Sequence, residues 1–310
     1  MNRIKSFIST VALAALISIQ LPCSAETFRV AAYNVENYLD KATESRRETK
    51  SAAAKAKVRE SIRAMKPDVI AFEEMGALSA LLELRDSLKK EGLDLPHYEH
   101  ITGWDTNIHV AVLSKFPIVA RHSHTNESFL LSGKRFHVGR GFTDVDIKVN
   151  DHYTFTLVGA HLKSKRAVPE ADEAELRLEE AKLLREKVND LLKTSPNANV
   201  VVLGDLNDTK DSKSTRAIIG VGKMKLVDTR PAERNGDNIP NANPAWEPKN
   251  ITWTHYFGKE DSYSRIDYIM LSPGMAREWV TNETYIPTIP NWGLGSDHRP
   301  LVATFESTDK

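Results

Sequence analysis

What most constrains this chain is a repeated juxtaposition. Short apolar segments of strand character each run into a carboxylate, an asparagine or a histidine. Phe28 to Val35 carries Asn34 near its end and Glu36 just beyond it. Asp68-Val69-Ile70-Ala71-Phe72 runs into Glu73 and Glu74. Tyr153 to Ala160 ends on His161, and Val200-Val201-Val202-Leu203 leads to Asp205 and Asn207. Asp267 lies inside Ile266 to Leu271, while Asp297 and His298 precede Leu301 to Phe305. Short β-branched runs bounded by turn residues read as buried strands. A polar side chain at such a strand end stands at the rim of a cleft. Further strands are expected at Val110 to Ser114, Ile118 to Arg121, Gly141 to Val149 and Ile251 to His255. Between them lie helical patterns at Glu48 to Met65, Ala77 to Lys90 and Glu170 to Leu192. In the last, Ala174, Ala181, Leu184, Val188 and Leu191 mark one face at helical spacing. Arg230 to Lys249, rich in Pro and Asn, reads as a surface loop. Strands outnumber helices and many neighbours read as hairpins, so two packed sheets flanked by helices are expected rather than one doubly wound parallel sheet.

The first 25 residues stand outside this pattern. Arg3 and Lys5 precede an apolar run from Phe7 to Ile19, followed by Cys23-Ser24-Ala25. That order describes a secretory signal cleaved after Ala25. The run is shorter than the roughly 20 apolar residues needed to span a bilayer. Pro22 stands where a lipidated cysteine would follow a small residue, which ranks an anchor at Cys23 below cleavage. The expected division is a signal peptide over 1–25 and a catalytic domain over 26–310, with a secreted or periplasmic, monomeric product that makes no stable membrane association. Cys23 is the chain's one cysteine and leaves with the signal, so the mature protein depends on its core rather than on disulfides. Lys and Arg balance Asp and Glu at 42 each over the whole chain. Bulk positive charge therefore cannot grip a polyanion, and such a substrate has to meet a local patch.

Each strand-end residue alone has a plain structural explanation. A carboxylate after a strand caps a turn, and a lone histidine is commonly a satisfied core or surface residue. Together they require more. Several carboxylates gathered without compensation are costly, so the set implies a cation or shared protons. Oxygen donors, no cysteine and no zinc-type histidine spacing favour Mg²⁺ or Mn²⁺. Carboxylates, asparagines and two histidines are what phosphate ester hydrolysis needs: charge neutralisation, an oriented water and a proton carrier.

Six segments carry a resemblance. They are Ala32-Tyr33-Asn34-Val35-Glu36, Pro67 to Glu74, His161-Leu162-Lys163-Ser164, Gly204-Asp205-Leu206-Asn207, Arg265-Ile266-Asp267-Tyr268 and Ser296-Asp297-His298-Arg299-Pro300. In this order they resemble the endonuclease/exonuclease/phosphatase superfamily. The resemblance implies a metal-dependent phosphoric ester hydrolase on a four-layered α/β sandwich, with two central mixed β-sheets flanked by helices. It implies Glu74 as principal metal ligand, with Glu36 and Asp297 nearby or bound through water. It implies Asn34 and Asn207 on phosphate oxygens or the nucleophile, and Asp205 orienting or deprotonating water. It gives His298 to the phosphate or the proton, with Asp267 holding its tautomer, and places His161 on the other side of the scissile phosphate. Members of that superfamily usually carry Gln where this chain has Glu73. Strand alternation turns only one of Glu73 and Glu74 squarely to a cleft, and motif register selects Glu74.

Two basic segments adjoin these motifs: Lys163, Lys165 and Arg166 after His161, and Lys134, Arg135 and Arg140 before Gly141. Their placement makes Arg140 and Lys163 candidates for phosphate-backbone contact. His161-Leu162-Lys163-Ser164-Lys165 also resembles the corresponding stretch of secreted bacterial nucleases. Trp246, Trp253 and Trp292 are candidates for base stacking or for anchoring core and loops. The first reading is a nuclease or other phosphodiesterase on nucleic acid. The second is a phosphatase or phospholipase, sphingomyelinase-like or acting on inositol or sugar phosphates. A catalytically silent binding protein is disfavoured because every catalytic-type position is filled.

Overall fold

The computed structural model describes residues 26–233 and 251–309. The segment read as an export signal, Trp246 and most of the Pro- and Asn-rich loop lie outside the described residues. The strands are β1 (Thr27–Tyr38), β2 (Val69–Met75), β3 (His97–Ile101), β4 (His109–Ser114), β5 (Ile118–Arg121), β6 (Ser128–Leu131), β7 (Lys134–His137), β8 (Phe142–Asn150) and β9 (Tyr153–His161). After them come β10 (Val200–Asp205), β11 (Val227–Asp228), β12 (Ala232–Glu233), β13 (His255–Phe257), β14 (Ser262–Ser264), β15 (Asp267–Leu271), β16 (Trp279–Ile286) and β17 (Leu301–Glu306). The helices are α1 (Ala52–Met65), α2 (Leu78–Lys90), α3 (Glu173–Thr194) and α4 (Lys213–Ile219).

One sheet has seven strands in the order β12-β16-β17-β1-β2-β4-β3, and the other has six in the order β11-β15-β10-β9-β8-β5. Both are mixed: β1 runs parallel to β2 and β9 parallel to β10, while most other neighbours are antiparallel. Period-two alternation produces the layers. Phe28, Val30 and Ala32 of β1 pack with Val69 and Ala71 of β2 against Phe155, Leu157, Val201, Leu203 and Ile269 of the facing sheet. The intervening residues Ala31, Tyr33, Ile70 and Phe72 turn to Val58 and Ile62 of α1 and Leu81 and Leu84 of α2. On the opposite side, Val158, Val200, Val202 and Met270 receive Ala181, Leu184 and Val188 of α3 and Ile218 of α4. The result is the expected four-layered sandwich of helices, two mixed sheets and helices.

Local chemistry sets the helix ends. Ser51 caps α1 by accepting from Ala54 N, so this helix begins after the expected Glu48. Lys66 closes it in a left-handed conformation just before Pro67. Two expectations were off. Ile251 to Thr254 form no strand, and the pairing starts at His255. The polar strands β3 and β16 had no apolar run to announce them. Each lies at or beside a sheet edge, where one face meets solvent and hydrophobic patterning is weak. Among the described residues, no helix is long and apolar enough to cross a membrane.

Candidate active site

The alternation that builds the inter-sheet core also builds the site. Two residues beyond Ala32, Asn34 continues the inward face of β1, as Glu73 continues that of β2. From the facing sheet His161 follows Leu157, Asp205 follows Leu203 and Asp267 precedes Ile269. Asn34 lies beside Glu73, and Asp205 is flanked by His161 and Asp267 in the strand register. The hydrophobic core thus passes into a polar layer at one end of both sheets. Gly204 makes this possible: its φ is +127°, and a Cβ there would lie 2.1 Å from the Ala160 carbonyl oxygen.

Asn34 joins the sheets by donating Nδ2 to Asp205 Oδ2 at 3.0 Å. The other Asp205 oxygen accepts from Asn207 N at 2.8 Å. His161 Nε2 stands 3.5 Å and His298 Nε2 3.8 Å from Asp205 Oδ2. Burial and the neighbouring Asp267 raise the Asp205 carboxyl above its usual range, with His298 opposing them. His298 Nδ1 meets Asp267 Oδ2 at 2.9 Å. Burial alone would lower the His298 pKa, but Asp267 and Asp205 outweigh it and hold the imidazole well above its ordinary value, as a cation. His161 is pushed the opposite way by burial and by Arg140, and stays neutral.

Glu73 and Glu74 have separate destinations. Glu73 is fully buried in the inter-sheet layer, where neither carboxyl oxygen has a hydrogen-bond partner among the described residues. Burial, Asp267 and Asp205 raise its carboxyl well above the usual range, so it is held protonated. At Glu74 the alternation breaks: φ is +58° and the register with β4 shifts between Phe72 and Met75. A matching irregularity on β1 puts Glu36 at φ +42°. Asn37 N then donates to Glu74 Oε2 at 3.1 Å. Glu36, Glu74 and Asp297 line one open cleft together with Arg46, Lys50 and Arg166. Burial and Asp297 raise the Glu36 carboxyl, with Lys50 acting against them.

Arg140 and Lys163 differ in placement. Arg140 Nη1 donates to Leu162 O at 3.4 Å, next to His161. The Lys163 ammonium instead binds the carbonyls of Ser164 and Arg166 at 2.9 and 2.6 Å, within its own loop. Four residues support the site, and Thr254, Glu180 and His255 among them were not singled out in the sequence. Thr254 donates to Asp267 at 2.6 Å, and Ser296 joins His298 N to the Asn34 carbonyl. Glu180 of α3 accepts from Gly139 N and Lys163 N, bracing both basic segments. His255 lies beside His298 and 3.7 Å from Asp297. Their partners are distant in the chain, so no local spacing could mark them.

The residues fit a divalent cation. Glu36, Glu74 and Asp297 bring carboxylate oxygens to one solvent-open cleft, and His255 stands 3.7 Å from Asp297. Oxygen-rich donors suit hard cations.

Solved structures share the fold. A truncated TDP2 from Caenorhabditis elegans is 16% identical, with a TM-score of 0.58, 90% of this chain covered and 97% of that one. The mannosyl-6-phosphatase Bt3783 of Bacteroides thetaiotaomicron VPI-5482 is 20% identical, with a TM-score of 0.55 and coverage of 89% and 98%. Sphingomyelinase C from Streptomyces griseocarneus is 17% identical, with a TM-score of 0.57 and coverage of 91% and 100%. No curated protein sequence matches. Residues 31–298 match the model of the Endonuclease/Exonuclease/phosphatase family. The chain belongs to that family and is, by that membership, a metal-dependent hydrolase of phosphoric esters.

Proposed function

We propose that this hydrolase is a secreted or periplasmic phosphodiesterase that cleaves nucleic acid with Mg²⁺ or Mn²⁺, acting as a monomer without stable membrane association. One observation carries the reading. The cleft is open, and its lining sets Arg46, Arg47, Lys50 and Arg166 beside Glu36, Glu48, Glu74 and Asp297; an open groove with cations beside a carboxylate metal site suits a continuous phosphate backbone better than a small monoester.

Glu74, with Glu36 and Asp297, would hold the divalent cation, which when bound would supply charge neutralisation at the phosphoryl oxygens. Asp205 orients the attacking water and takes its proton, and its raised pKa makes it a better base than an ordinary carboxylate. Asn34 and Asn207 fix that carboxylate through the bonds described above, so little reorganisation is needed. The His298 cation, oriented by Asp267, stabilises charge on the phosphoryl group. Neutral His161 hydrogen-bonds a phosphate oxygen from the neighbouring strand.

The purified mature protein is to be assayed with Mg²⁺ or Mn²⁺ on plasmid DNA, RNA, bis-p-nitrophenyl phosphate, p-nitrophenyl phosphate and sphingomyelin. Nucleic acid is expected to give the highest kcat/KM. Preferential turnover of the monoester or of sphingomyelin would overturn the reading. N-terminal sequencing of the exported protein is expected to begin at Glu26, and an intact Met1 in a cytoplasmic fraction would refute export.

A further inference from the structure

Trp104 is 64% exposed, unusual for so large an apolar surface. Its indole lies flat on His137 of β7, with ring centroids 3.8 Å apart and planes within 4°. The segment bearing it is tightly fastened. A Cβ on Gly103 would fall 2.5 Å from the Arg140 carbonyl carbon, so the two backbones touch. Asp105 N donates to Gly139 O at 2.6 Å, and Asp105 Oδ2 stands 3.6 Å from Arg140 Nε. The next link is Gly139 N on the buried Glu180, which also holds Lys163 N. Arg140 in turn reaches Leu162 O, and Leu162 N bonds the Asp205 carbonyl at 3.0 Å. A rigid path therefore connects an exposed aromatic face to the reacting centre.

We propose that the Trp104–His137 pair is a stacking platform for a nucleobase flanking the scissile phosphate, selecting single-stranded or locally unpaired nucleic acid. This rests on the nuclease reading. A base in a closed duplex has both faces covered by its neighbours, so only an unpaired one offers a face to an indole. Charge favours this occupant. Lys134 and Arg135 lie exposed on the same β6–β7 arm as His137, and Arg140 follows three residues after it. Aromatic faces interleaved with cations fit a strand in which bases alternate with phosphates. His137 supports one face of the indole, and the other is left for the base.

Steady-state cleavage of a short oligothymidylate with Mg²⁺ tests the idea, using Trp104→Ala and Trp104→Phe. Trp104→Ala is expected to raise KM by about fivefold to a hundredfold, the range of one base-stacking contact. Its kcat should hold, and Trp104→Phe should restore most of the loss. Wild-type indole emission should be quenched on binding in EDTA, and the quenching should be absent in Trp104→Ala. Oligonucleotide cleavage with KM unchanged in Trp104→Ala would refute the platform and leave the nuclease reading standing. Turnover of another ester in the panel with no cleavage of any nucleic acid would refute the nuclease reading itself. Trp104-dependent binding to sphingomyelin vesicles would overturn the proposal in favour of a lipid surface.

Discussion

Asp205 and His298 lie 3.8 Å apart and are both largely buried. Positioned acid–base groups contribute roughly 10²- to 10⁴-fold each. Asp205→Asn and His298→Ala should each lower kcat by at least about 100-fold while keeping the wild-type circular dichroism spectrum. A folded variant with near-wild-type kcat would remove that residue from the proposed mechanism. Glu73 and Glu74 offer a sharper comparison because they are adjacent. Glu74→Gln removes a carboxylate from the open cleft, whereas Glu73→Gln replaces a buried carboxyl that is already held protonated. Mn²⁺ titration followed by electron paramagnetic resonance should show weaker binding in Glu74→Gln than in Glu73→Gln. The opposite ranking would assign the cation to the buried layer. The segment Phe72-Glu73-Glu74 shows how far local reading goes. Alternation explains Glu73, but the destination of Glu74 depends on a bulge matched to one on β1.

Helix α3 braces the site through Arg177, which donates to Asp208 and to Lys163 O, and through Glu180. Glu180 lies among Ala181, Leu184 and Val188, yet its carboxylate holds the backbones of Gly139 and Lys163. Hydrogen bonds to charged groups are worth about 1.5–3 kcal/mol each. Glu180→Ala removes two such bonds and should therefore cost about 3–6 kcal/mol by urea unfolding and speed proteolysis near Arg140. Unchanged stability and cleavage rate would show that the two loops stand without it. Strand β4 carries a pH effect away from the site. Burial and the neighbouring His100 push His109 down to about 4. The unfolded chain, with His near 6.5, binds more protons than the folded one between those values. The contribution is complete above about pH 6.5 and is lost as pH falls toward 4, and solvent screening keeps it below the roughly 3 kcal/mol that an unscreened shift of that size would give. His109→Asn should flatten the rise of unfolding free energy with pH across that window. Identical slopes in variant and wild type would contradict the assignment.

At the scale of the whole molecule, the site exists because two sheets end together. The Asn34–Asp205 bond spans 171 positions of chain, so the polar layer forms only when the sandwich closes. A ligand that binds only the folded state stabilises by mass action, about 2.7 kcal/mol at a hundredfold excess over Kd. EDTA should accordingly lower Tm as well as abolish turnover, and Mg²⁺ or Mn²⁺ should restore both. A Tm indifferent to chelation would mean that no cation is bound in the folded protein. The sequence by itself determined most of the buried strands, the helices that cover them, the two-sheet layering and the polar residue at each principal strand end. These follow from hydrophobic period and turn chemistry, which act within a few residues. Tertiary structure alone decided that paired bulges turn Glu36 and Glu74 into one cleft, that Lys163 binds its own loop, and that Thr254, Ser296 and Glu180 brace the site. It also decided that His255 joins Asp297 and that Trp104 lies on His137. Each depends on a bulge, a register or a contact between distant segments. Those are settled by how two sheets pack, and no local pattern in the chain encodes them.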